Sequence, residues 1–128
     1  MQPLSETWHE TSPLATILES SLAPAALSEG PVRFLLVSGD RDDGSWGMLG
    51  AYWLTIDGRR GGFLVSPEAI WQGSEHARSF RNALSRGWSV EQIYSYWQSH
   101  VGAAGSVMVD PQHHADDLFQ VARRIGCL

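Results

Sequence analysis

The fold class predicted from the sequence is a single α+β domain. It comprises an antiparallel meander of three or four strands with an N-terminal helix before it and three C-terminal amphipathic helices packed on the sheet. Three observations lead there. The first half holds apolar runs rich in β-branched and aromatic residues, joined by short Gly/Asp connectors. After Pro67 the apolar period changes from two to about 3.6. The composition, 43% hydrophobic and 18% charged over 128 residues, is that of one globular unit with a core of its own.

Residues 1–11 read as a loose tail and 12–128 as the domain. Ser12-Pro13 resembles an N-cap with proline at the first helical position, and Leu14, Ile17, Leu18 and Leu22 recur at helical spacing until Ala23-Pro24. Val32 to Ser38 is too apolar for a loop and reads as the first strand. Across the polar loop Gly39 to Ser45, Trp46 to Ile56 is the second, and Asp57-Gly58 leads to a third at Gly62 to Ser66. Strict alternation in the second strand puts Met48, Gly50, Tyr52, Leu54 and Ile56 on one face and Leu49, Ala51, Trp53 and Thr55 on the other. Both faces are apolar, so this strand needs two covers. Helices supply one. The other is expected to be the N-terminal helix, a second subunit or a protein partner.

Beyond Pro67, Ser74 reads as the cap of a helix with the stripe Ala77, Phe80 and Leu84, closed by Gly87 in the C′ position. Ser89 and Gln92 have capping-box spacing, and Val90, Ile93, Tyr94, Trp97 and Val101 share one helical face. Ser106 to Val109 suggests a short fourth strand, and Asp110-Pro111 a cap and first turn for a last helix with the stripe Ala115, Leu118, Phe119, Ala122 and Ile125.

Charge and residue usage exclude several mechanisms. All nine basic residues are arginine, so Schiff-base, P-loop-lysine and Ser-Lys chemistry lack their amine. The net charge of −5 is concentrated early: residues 1–50 hold seven acids and two arginines, and residues 51–128 hold seven of each. That balance makes nucleic-acid binding an unlikely use. The helix-turn-helix look of Ala77 to His100 falls with it, because the second helix carries no Lys or Arg for phosphates. The single cysteine, Cys127, forbids an internal disulfide and fits a reducing compartment. The N-terminal residues show no signal-peptide pattern and no run is long enough to span a membrane, so a cytoplasmic protein without membrane partners is expected.

Candidate sites are sparse. The loop Asp40 to Gly44 gathers carboxylates, but EF-hand spacing fails, since positions six and twelve are Ser45 and Ala51. His113 and Asp117 are spaced as helical neighbours on a polar face, so no metal or other cofactor is expected. Tyr96 and His100, four apart, are the weak catalytic candidates, with His100 as a base. Arg59 and Arg60 among glycines are candidates for meeting an anion. Trp46, Trp71 and Trp88, in or beside turns, are candidates for a recognition surface, while Trp53 and Trp97 read as core. The sequence therefore favours a small acidic non-catalytic interaction protein, of inhibitor, immunity or chaperone-like type and able to form a homo-oligomer. The alternative is a small-ligand-binding protein or enzyme with a pocket between sheet and helices.

Overall fold

A computed structural model describes residues 30–127. The elements are β1 (Val32–Asp40), β2 (Trp46–Thr55), β3 (Gly61–Val65), α1 (Ile70–Ser85), α2 (Val90–Gln98), β4 (Gly102–Ala104), β5 (Val107–Val109), β6 (His113–Ala115) and α3 (Leu118–Arg124). All six strands form one antiparallel sheet in the order β3-β2-β1-β5-β4, with β6 also paired to β1.

This corrects the expected fold in two respects. The first three strands do form a meander, but the sheet has six strands rather than three or four, and the later ones extend it on the far side of β1. Between α2 and α3, where one short strand at Ser106 to Val109 is expected, lie three: β4, β5 and β6. The helix foreseen near Leu14 to Leu22 lies outside the described residues, and the first helix among those described follows β3.

Local chemistry accounts for the misread elements. Asp110-Pro111 carries the signature of a helix start, yet it interrupts a strand. The Asp110 amide donates to the Leu36 carbonyl at 2.9 Å, Pro111 has no N–H to offer, and pairing to β1 resumes at His113. The last helix begins later, capped by the Asp117 carboxylate, which accepts from the Gln120 amide. Ser74, expected as a cap, lies inside α1, whose N-terminal amides at Trp71 and Gln72 donate to Asp42 of the β1–β2 loop.

A bulge resets the faces of β2. Val37 pairs with Gly50 and Ser38 with Met48, leaving Leu49 as the extra residue. Met48 consequently joins the face of Ala51 and Trp53, and Leu49 the face of Tyr52 and Leu54, the reverse of strict alternation. Only glycine fits at position 50, because a Cβ there would lie 2.1 Å from the Leu64 carbonyl oxygen.

The sheet is covered on both sides. On one, Leu35, Tyr52, Leu54, Phe63 and Val65 pack with Ala77, Phe80, Ile93 and Tyr94 of α1 and α2. On the other, Val32, Phe34, Leu36, Trp53 and Leu64 pack with Leu118, Val121, Ala122 and Ile125 of α3. The second apolar face, expected to be covered by the N-terminal helix, a second subunit or a partner, is thus buried against the chain's own last helix. Cys127 follows that helix, half-buried, with its thiol donating to the Val65 carbonyl at 3.3 Å and pushed up to about 12 by burial. No helix among the described residues is long and apolar enough to cross a membrane.

Candidate functional site

The α1–α2 connection is short and well specified. Gly87, at φ 95°, turns the chain after α1, and its amide donates to the Leu84 carbonyl. Ser89 then caps α2 with a complete box: its hydroxyl accepts from the Gln92 amide at 3.0 Å, and its own amide donates to Gln92 Oε1 at 2.8 Å. Trp88 lies between these two devices, so its backbone is held while its ring stays 45% exposed.

Between the two helices lies a recess of about 510 Å³. Its α1 wall is Ser79, Phe80, Asn82 and Ala83, with Arg86 at the C-cap; its other wall is Trp88, Ile93, Tyr96 and Trp97. The rings meet edge to face, Trp88 against Tyr96 with centroids 6.3 Å apart and Tyr96 against Trp97 at 5.4 Å. The floor is tied into the core. Trp97 stacks on Tyr52 at 5.0 Å, and the Tyr52 hydroxyl lies 2.7 Å from His76 Nδ1.

That tyrosine–histidine pair is a neutral one. Burial lowers the His76 pKa to about 4 and raises that of Tyr52 well above its ordinary value. The phenol therefore stays protonated and donates to the imidazole lone pair. Phe63 covers the other side of His76, with centroids 5.1 Å apart. His76 is thus a packed, hydrogen-bonded support beneath Trp97.

The sequence candidates divide among three places. Trp88 and Tyr96 line the recess. The His100 ring lies tilted against Tyr96 with centroids 4.4 Å apart, but its Nδ1 is 2.7 Å from the Tyr96 carbonyl oxygen, and His100 is not part of the wall. Trp46 and Trp71, 55% and 76% exposed, lie at the other end of α1: Trp71 is in its first turn and Trp46 follows the β1–β2 loop that caps it. A 16-residue helix is about 24 Å long, so these two tryptophans are remote from Trp88. Arg59 and Arg60 lie in the β2–β3 turn and line a smaller recess of about 370 Å³ with Gly30, Pro31, Thr55, Ile56 and Asp57. Asp57 braces that turn by accepting from the Thr55 hydroxyl and the Arg59 amide, which hold its carboxyl below the usual range.

The chain was compared with protein-family models, curated proteins and solved structures. It matches none of them. The geometry of the recess therefore carries the functional reading alone.

Sequence reasoning missed Arg86, Asn82 and the support given by His76. Arg86 stands beside the closing glycine Gly87, outside the expected apolar stripe, and His76 sits next to Ala77 at its edge. This recess is walled by α1 and α2 rather than by the sheet. Among the described residues no three His, Cys, Asp or Glu side chains are grouped to hold a metal.

Proposed function

We propose that this chain is a non-catalytic binding protein whose recognition site is the aromatic recess between α1 and α2. One observation carries the reading. The recess presents Trp88, Tyr96 and Trp97 together with a guanidinium, and among the described residues its walls contain no carboxylate, imidazole or thiol. Aromatic walls and a few polar groups supply affinity and orientation. Nucleophilic catalysis needs a base hydrogen-bonded to the nucleophile; among the described wall residues only the Tyr96 phenol and Arg86 titrate, and neither is hydrogen-bonded to the Ser79 hydroxyl. The histidines whose rings touch Trp97 and Tyr96 are engaged elsewhere, His76 by Tyr52 and His100 by the Tyr96 carbonyl.

Ligand-observed NMR against a fragment library tests this. The reading expects fragments that bind the native chain and the Trp46→Ala variant but not Trp88→Ala. A library whose hits survive Trp88→Ala, or that yields no hits, overturns it.

A further inference from the structure

The charge at the recess specifies its occupant further, on the reading that the recess is the binding site. Among the described residues Arg86 is the only ionisable group in its walls apart from the Tyr96 phenol, and no acid accompanies it there. Other arginines of the described chain are occupied. Arg41 pairs with Glu68, Arg78 pairs with Glu75 at 2.8 Å, and Arg33 lies over the Tyr94 ring at 5.7 Å. Among the described residues Arg86 has no side-chain hydrogen bond, ion pair or ring contact, and its side chain is exposed at the rim. An unpaired guanidinium beside aromatic rings offers a planar fork for a carboxylate and a low-cost surface for a flat apolar group.

We infer that the recess takes a small planar aromatic anion, its ring lying against Trp88 and Trp97 and its carboxylate or sulfonate on the Arg86 guanidinium. Size supports a small molecule. About 510 Å³ falls within the range of pockets for single organic ligands and accommodates a two-ring system. The ring geometry supports an aromatic one. Trp88 and Tyr96 meet edge to face, so they do not cover one another's faces as a stacked pair would, and Trp88 remains 45% exposed. The walls select by sign, because a cation would meet Arg86 with no carboxylate to offset it. Asn82, exposed on the same wall, can donate through its amide to a second anionic oxygen.

Three probes sharing one ring system separate the terms: 2-naphthoate, 2-naphthamide and 2-naphthylmethylammonium, titrated by isothermal calorimetry into the full chain and into Arg86→Gln and Trp88→Ala. A charge-assisted hydrogen bond is worth roughly 1.5–3 kcal/mol, so naphthoate should bind about ten- to a hundred-fold more tightly than naphthamide. Arg86→Gln should erase that preference while leaving naphthamide unchanged, and Trp88→Ala should weaken all three probes. Equal binding of all three, lost in Trp88→Ala, overturns the anion assignment while leaving the binding site standing. Failure of every probe to bind, or binding only by a capped Asp-Trp-Glu peptide tested alongside, overturns the small-ligand assignment; the fragment screen then judges the site separately. Circular dichroism of both variants establishes that they are folded.

Discussion

The two faces of the sheet are buried to similar depth but by different chemistry. Against α3 the contacts are mainly aliphatic, with Leu118, Val121, Ala122 and Ile125 meeting Val32, Leu36 and Leu64, and with Phe34 and Trp53 as the two large rings of that layer. Against α1 and α2 the sheet presents Tyr52 and Phe63, and the helices answer with Tyr94, His76 and Trp97. Polar ends run through this second layer: the Tyr52 hydroxyl meets His76, and the Tyr94 hydroxyl donates to Gln112 at 2.9 Å. An aliphatic layer contributes stability through area and close packing. The aromatic layer also places rings and donors at defined positions, and its outer edge opens into the recess. One cover holds the fold and the other builds a site.

Truncation on the two sides should separate these roles. The largest effect is expected from Leu118→Ala, fully buried under the sheet, which should cost about 2–5 kcal/mol in denaturant unfolding yet leave naphthoate affinity unchanged. A parallel loss of affinity would mean that the two faces are not independent.

The aromatic layer should reveal itself by pH. His76, with its pKa lowered from 6.5 to about 4 by burial, stays neutral when folded, whereas the unfolded chain takes up a proton near the ordinary value. Its contribution is fully present above about 6.5, is lost as pH falls from 6.5 to about 4, and changes no further below that. Thermal unfolding of native protein and His76→Gln should therefore show a slope in that window that the variant lacks. Equal slopes would place His76 in a more solvated setting than the one described.

Smaller effects follow from single hydrogen bonds. Tyr52→Phe removes the donor to His76 and should cost about 1–2 kcal/mol, with a modest loss of probe affinity through Trp97. Ser89→Ala breaks the capping box at the edge of the recess and should cost about 1 kcal/mol. Trp88→Ala should be the least destabilising, within about 0.5 kcal/mol, because the ring is half exposed, while weakening probe binding.

Legibility in the sequence followed how local each signal was. The capping box at Ser89 and Gln92 and the glycine end of α1 are written within a few residues, and they formed where expected. The apolar runs of β1 to β3 were likewise plain. The bulge at Leu49 was not, because it depends on how β1 and β3 meet β2, and alternation alone then assigns Met48 and Leu49 to the wrong faces. Asp110-Pro111 misled because helix starts and strand interruptions use the same residues. β4 and β6, three residues each, are too short to show a period. At the site, Trp88 and Tyr96 could be named from their turn and helix positions. Their convergence with Arg86 and Asn82 arises only when α1 and α2 pack as a hairpin, and no spacing within either helix encodes that.

The six tryptophans make the central claim directly measurable, because each gives one indole N–H signal in a ¹H–¹⁵N correlation spectrum. Assigned by single Trp→Phe variants and recorded during a naphthoate titration, the Trp88 and Trp97 signals should move together along one binding isotherm while Trp46 and Trp71 stay fixed. Movement of Trp46 and Trp71 with Trp88 unchanged would place recognition at the opposite end of α1 and contradict the account.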